Sequence, residues 1–240
     1  MALKTLVVNP PLGAPTATVF LLHGLGDTAH GWSDVAYMLS RRPALQHVRF
    51  VLPTAPVQPV TLNMGMQMTA WFDVQSLNSL ETGEDEAGLL QSVRTIQEMI
   101  RAEIDGTGPE LNGLRIPAER IIVGGFSQGG AIAFLTSFLT PEPLAGTLAL
   151  STWLPLAKKI GELRKRTGTW PIMQAHGTID QIVPYELGRK TSRFVRQDLG
   201  FGDKDTFRTY DGMPHSACPQ EIRDIAQWLE TVIPQTPREQ

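Results

Sequence analysis

The sequence contains one cysteine, Cys218, in 240 residues. A single thiol excludes an intramolecular disulfide and a cysteine-rich metal site, and it suits a reducing compartment. No run approaches the roughly 18 consecutive apolar residues of a membrane-spanning helix, so stable membrane insertion is not expected. Positive charge is not in excess either. The formal net charge is -3, whereas a duplex binder shows a strong basic footprint, so nucleic acid is not an expected partner. The basic cluster of Lys158, Lys159, Arg164, Lys165 and Arg166 reads as a solvated helix face. Internal repeats and low-complexity segments are absent. The opening "MALKTLVVNPPLGAP" has too short an apolar run and too many prolines for a secretory leader. Ala2 stands where myristoylation needs glycine, and the closing "PREQ" carries no prenylation or retention signal.

What is present is ordinary globular composition, 42 % hydrophobic and 19 % charged. Short apolar runs predict buried strands at Val19–Leu22, Phe50–Leu52, Ile121–Val123, Thr147–Leu150 and Ile172–Ala175, with a more polar edge strand at Thr206–Tyr210. Between them lie helical periodicities. In "EDEAGLLQSVRTIQEMIRAEI", Leu89, Val93, Ile96, Ile100 and Ile104 recur every three or four residues, behind an acidic start that favours a helix N-terminus. "PYELGRKTSRFVRQDLG" runs from Pro184 to Gly200, and "PQEIRDIAQWLETVI" follows the same pattern. Alternating strands and helices predict an α/β fold with a mostly parallel sheet. No linker divides the chain, so residues 1–240 are expected to form one domain, with about 1–17 and 233–240 as peripheral termini. Residues 53–83 fit neither class and predict a long functional loop, a lid or binding loop, rich in methionine and holding Trp71 and Phe72.

Gly125-Phe126-Ser127-Gln128-Gly129 matches the G-x-S-x-G nucleophile elbow, with a predicted strand before it and a predicted helix after it. A serine on so sharp a turn needs glycines two positions either way, where side chains would strike the adjacent strand and helix. The helix N-terminus then favours developing negative charge. A serine hydroxyl needs a base, and in this chain order an acid follows and then a histidine. His176 and His215 are the histidines after Ser127. Asp180, just past a strand end, with His215, in "DGMPHSACPQE", restores the order; His176 as base leaves the acid to Glu142 or Glu162, and Asp211 competes with Asp180. An oxyanion needs N–H donors. The backbone of Gln128 supplies one, and the loop His23-Gly24-Leu25-Gly26-Asp27 the other, with Leu25 nominated. His23 is expected to order this loop, as are Asp27 and His30.

The segments "LLHGLGDTAHGW", "PTAPVQPVTLNMGMQMTAWFDV", "IIVGGFSQGGAIA", "STWLPL", "HGTIDQIVP" and "GMPHSACPQE" together resemble the acyl-protein thioesterase and lysophospholipase family of small carboxylesterases, over about residues 18–230. The resemblance implies a single-domain α/β hydrolase with no large cap domain, cytosolic and often nuclear. Its implied activity removes palmitoyl-type acyl chains from cysteine thioesters of proteins, with no metal or organic cofactor. At matching positions it implies Ser127, Asp180 and His215 as the triad, Leu25 and Gln128 in the oxyanion hole, and the loop of Trp71 and Phe72 with Trp153 near an acyl channel. Leu62, Met64, Met66, Met68 and Trp71 form an apolar stripe suited to an acyl groove, because methionine adapts to variable chains; core packing explains such a stripe equally well. Three positions depart from the resemblance. Thr69 stands where proline is expected, Thr152 where a small residue or cysteine is expected, and Asp211 where proline is more usual. The first two fall where chain-length preference is expected to be set. Rival expectations are a broad carboxylesterase acting on small esters or lysophospholipids, an inactive fold that binds acylated partners, and a homodimer formed through an apolar mouth.

Overall fold

The computed structural model describes residues 3–11, 13–77, 80 and 83–235. Residues 236–240 of the expected peripheral tail, and parts of the 53–83 stretch, lie outside the described residues.

The strands are β1 Thr5–Val8, β2 Ala17–Leu22, β3 Val48–Pro53, β4 Val57–Val60, β5 Met66–Thr69, β6 Ile121–Phe126, β7 Gly146–Leu150, β8 Ile172–Gly177 and β9 Asp205–Tyr210. Seven of them form one sheet in the order β1-β3-β2-β6-β7-β8-β9. β1 pairs antiparallel with β3 and every other neighbour is parallel. The helices are α1 Ser33–Ser40, α2 Glu86–Asp105, α3 Gln128–Leu139, α4 Ile160–Leu163, α5 Tyr185–Arg193 and α6 Pro219–Val232.

Strand residues alternate between two apolar layers, as the period of two requires. Ile121 and Val123 join the layer under α2 and α3, with Val93, Ile96 and Phe134; Ile122 joins the opposite layer under α1 and α6, with Leu39, Ile225 and Leu229. A sheet covered on both faces suits strands that read as continuous apolar runs. α2 starts where Asp85 accepts from the Gly88 N–H at 2.9 Å and stops at Gly106, whose φ of 76° favours glycine. All six predicted strands of the main sheet lie within observed ones, and β9 occupies an edge.

Four expectations change. Residues 5–8, expected in a peripheral terminus, form the antiparallel edge strand. Ile233, placed at the start of the other terminus, is fully buried, and its carbonyl meets His47 Nε2 at 3.0 Å. The predicted long loop contains a hairpin, in which β4 and β5 pair antiparallel from Val57 with Thr69 to Val60 with Met66. Only Lys158 and Lys159 of the basic cluster lie exposed on a helical turn. α4 ends at Leu163, Arg164 lies over the rings of Phe138, Trp170 and Phe201, and Arg166 stacks 4.1 Å from the Trp170 centroid. Aromatic faces hold both guanidiniums, and burial, with Arg164 nearby, pushes Arg166 down to about 10.

No helix among the described residues is long and apolar enough to cross a membrane.

Candidate active site

Ser127 directly follows β6 and stands at the N-cap of α3, with φ 54° and ψ -120°, a strained region for a residue with a Cβ. The surrounding contacts explain the glycines. A Cβ on Gly129 would stand 2.3 Å from the Leu22 carbonyl oxygen and 2.5 Å from that of His23. One on Gly125 would stand 2.5 Å from the Gly129 backbone. The Ser127 N–H donates to Leu150 O at 2.8 Å, and the Ser127 carbonyl accepts from the Thr152 hydroxyl at 2.7 Å. Thr152, expected to set chain length, is instead buried under the elbow and braces its backbone.

Asp180 follows β8. Its Oδ1 accepts the N–H groups of Ile182 and Val183, both at 2.9 Å, and its Oδ2 lies 2.7 Å from His215 Nδ1. A carboxylate can only accept there, so Nδ1 carries the hydrogen and Nε2 is left as a lone-pair acceptor. Burial pushes the Asp180 carboxyl up, but hydrogen bonds from His176 and His215, the charge of His215 and the Ile182 N–H outweigh it, and the net shift is well below the usual carboxylate range. The His215 ring packs on Phe126, the residue before Ser127, with centroids 4.6 Å apart. His176 is buried; its Nε2 donates to Val183 O at 2.9 Å and lies 3.4 Å from Asp180 Oδ2. Gly188 makes room for it, since a Cβ there would reach 2.3 Å from His176 Nδ1. His176 therefore steadies the Asp180 turn. Asp211 is engaged elsewhere, accepting from the Thr178 hydroxyl at 3.0 Å.

The His23–Asp27 loop reaches the elbow. A Cβ on Gly24 would meet the Ser127 Cβ at 3.4 Å. His23 orders this loop, as expected: Nε2 accepts the Ala55 N–H at 3.0 Å, so Nδ1 is the donor to Gly24 O at 2.7 Å. Burial lowers the His23 pKa, which keeps this tautomer neutral. Asp27 accepts the Thr28 N–H at 2.7 Å, and His30 enters through its backbone. Leu25 is half-buried beside Gly26, whose N–H donates to Thr69 O at 2.8 Å.

The Gln128 side chain makes two hydrogen bonds that the sequence did not suggest. Its Oε1 accepts the Trp71 N–H at 2.9 Å and its Nε2 donates to Phe72 O at 2.7 Å. The Trp71 indole donates to His23 O at 2.9 Å and its ring lies 5.4 Å from that of His23.

The expected acyl-binding residues do not form one groove. Trp71 is 2 % exposed behind the His23 loop, and its indole supports that loop. Met64, at the hairpin turn, and Met66, on β5, are 92 % and 56 % exposed. Met68 lies between, its sulfur 3.1 Å from Asn63 Nδ2. Leu62 packs against the core. Phe72 and Trp153 meet edge-to-face at 6.2 Å and, with Val74, Leu80 and Leu89, line a cavity of about 10 Å³, the room of one water. A wider cleft of about 1200 Å³ is lined by Thr28, His30, Ala55, Val57, Thr69 and Trp71 among others, and Ser127, Asp180 and His215 do not border it. Among the described residues no group of three or more His, Cys, Asp or Glu side chains could hold a metal ion.

The sequence profile of the phospholipase/carboxylesterase family matches residues 3–233. Acyl-protein thioesterase 1 of Mycosarcoma maydis is 60 % identical over 235 residues, 97 % of this chain and 98 % of that protein. Acyl-protein thioesterase 1 of Cryptococcus neoformans var. neoformans serotype D is 43 % identical over 241 residues, 95 % of this chain and 97 % of that protein. Among solved structures, acyl-protein thioesterase 2 of Zea mays superimposes with a TM-score of 0.79 at 29 % identity, covering 96 % of this chain and 99 % of that one. SOBER1 of Arabidopsis thaliana gives 0.78 at 28 %, covering 92 % and 100 %.

Proposed function

The chain belongs to the phospholipase/carboxylesterase family, and on that premise we propose that it is a serine hydrolase in which Ser127 is the nucleophile, His215 the base and Asp180 the acid. In this reading it removes long-chain, palmitoyl-type acyl groups from cysteine thioesters of proteins. The observation that carries the site assignment is the Asp180–His215 pair, 2.7 Å apart, held on Phe126 beside the Ser127 elbow. The substrate class draws its support from the relatives named acyl-protein thioesterase, at 60 % and 43 % identity over nearly the whole chain.

The chemistry runs in two halves. The Ser127 hydroxyl attacks the thioester carbonyl while His215 Nε2 takes its proton. The oxyanion forms between the Gln128 and Leu25 N–H groups, which stabilise the charge as it develops. The carbon–sulfur bond breaks, and the sulfur takes the proton from His215 and leaves as the free thiol. Water then gives a proton to His215, attacks the acyl-Ser127 ester, and releases the fatty acid as Ser127 regains its proton. Ionised Asp180 holds the imidazole in the working tautomer throughout.

One observation favours a second substrate class. The cavity beside Phe72 and Trp153 has the room of one water and admits no long chain without opening. A short-ester hydrolase is the reading that fits a pocket left closed, since a lysophospholipid carries a long acyl chain and needs the same opening. Specificity constants for a palmitoyl-cysteine peptide, a lysophosphatidylcholine and a short aryl ester separate the two. Preference for the peptide supports the thioesterase, and preference for either other substrate overturns it. Failure of a fluorophosphonate probe to label Ser127 would leave an acyl-binding protein without catalysis.

A further inference from the structure

We infer that Thr69 is a positioning residue for the oxyanion loop, and that its hydroxyl ties the β4–β5 hairpin to the catalytic centre. The inference rests on the serine-hydrolase reading and extends it to a residue outside the triad and the hole. Two hydrogen bonds join Thr69 to the loop. Its carbonyl accepts the Gly26 N–H at 2.8 Å, and its hydroxyl donates to Asp27 O at 2.5 Å. They bracket the Gly26–Asp27 peptide, directly after Leu25, whose N–H is the proposed donor.

The loop needs an external hold. It carries glycine at 24 and 26, and Gly26 adopts φ 78°. Glycine gives the chain freedom to turn its amides toward Ser127, and the same freedom lets them drift. An oxyanion donor works only when its position is fixed before charge develops. The chain that supplies the hold continues from Thr69 through Trp71 and Phe72, whose backbone is clamped by the Gln128 side chain at 2.9 and 2.7 Å. A short strut thus spans both proposed donors: Thr69 grips the loop that carries Leu25, and the far end is fixed to the residue that supplies the other N–H. Thr69 is also the last residue of β5 and pairs with Val57 of β4. The hairpin is therefore tied to the loop twice, at Gly26 through the Thr69 carbonyl and at Asp27 through its hydroxyl. Proline, which the resemblance leads one to expect here, keeps the carbonyl bond and lacks the hydroxyl, so this tie belongs to the particular residue in this chain.

The test compares Thr69→Val, which keeps the β-branched shape, with Thr69→Ser, which keeps the hydroxyl, and uses Thr69→Ala as a second deletion. kcat and KM are measured with an acetyl aryl ester and a palmitoyl thioester. Affinity for an alkylboronic acid, whose tetrahedral adduct mimics the oxyanion, and melting temperature are measured alongside. Loosening a donor is milder than deleting one, so Thr69→Val and Thr69→Ala should lower kcat about 5- to 10-fold on both substrates with KM within about two-fold. Boronate affinity should fall in step, and Thr69→Ser should return to within about two-fold of the parent. The inference is overturned if the valine and alanine variants keep the parent kcat, if serine is as impaired as valine, if the loss lies in KM alone, or if it matches the loss of folded protein. If valine does not fold, alanine against serine decides. A parent enzyme that turns over neither substrate defeats the hydrolase reading itself, a result seen before any variant is made.

Discussion

His215 Nδ1 and Asp180 Oδ2 stand 2.7 Å apart, joined across 35 positions of sequence by the return of β8 and β9 to one end of the sheet. The contact fixes which imidazole nitrogen carries hydrogen. Asp180→Asn should keep the shape and present an amide N–H to Nδ1, which inverts the tautomer and removes the base. The expected loss is on the order of 10³- to 10⁴-fold in kcat with KM little changed. Single-turnover acylation rates check this, and a variant within ten-fold of the parent would mean that Asp180 does not set the tautomer.

The two histidines near Asp180 should separate. His215→Ala should lose activity on a scale similar to Ser127→Ala, on the order of 10⁶ in kcat for a triad that works as a unit. His176 donates to Val183 O and is buried, so His176→Ala should cost about 2–3 kcal/mol of stability while folded protein keeps a measurable fraction of activity. Urea unfolding and active-site titration measure the two effects. A folded His176→Ala as inactive as His215→Ala would exchange their roles.

Trp71 and Met66 should respond differently to chain length. The Trp71 indole holds His23 O, and its backbone is held by Gln128, so Trp71→Ala should depress kcat/KM for acetyl and palmitoyl substrates alike. Met66 is exposed on the hairpin and touches none of this network. Met66→Ser should therefore affect the long chain alone, by about 10-fold for two buried methylenes of acyl chain. The ratio of the two specificity constants is the measurement. A long-chain-selective loss in Trp71→Ala would return Trp71 to the acyl groove.

The parallel strands and the elbow were legible because burial on both faces writes continuous apolar runs and because the strained turn leaves its glycines in the sequence. β1 was missed because Thr5–Val8 is short, half-buried and followed closely by prolines. β4 and β5 were missed because Pro56 and Pro59 and an exposed methionine series hide a two-stranded ribbon whose packing is local. The support that the Trp71 indole gives to His23 O was not legible, because the two residues lie 48 positions apart in sequence. Thr69 and Thr152 were flagged as departures from the resemblance. Their hydroxyl bonds to backbone carbonyls at 27 and 127 exist only once distant segments meet.

Glu221 supplies a prediction about stability and pH. It lies in the first turn of α6, close after His215, and is 1 % exposed, with no hydrogen-bond partner for either carboxyl oxygen. Burial pushes its pKa from an ordinary 4.5 up to about 8; Asp224 adds to the rise, and the Cys218 backbone N–H opposes it from outside hydrogen-bond geometry. Across the helix, Tyr210 of β9 donates to Asp224 at 2.9 Å, so the nearest ionisable neighbours offer no cation. A raised pKa means that the folded chain keeps the proton after the unfolded chain has lost it. The stabilising contribution is therefore complete below about pH 4.5 and declines as pH rises to about 8, with an upper bound of about 5 kcal/mol across the window. Glu221→Gln cannot ionise and should lack this decline. Urea unfolding of both proteins at intervals from pH 5 to 8 measures it, since other titrating groups are common to both and cancel in the difference. The variant should gain on the parent steadily as pH rises. A difference that stays constant over the window would mean that Glu221 is already ionised in the folded protein.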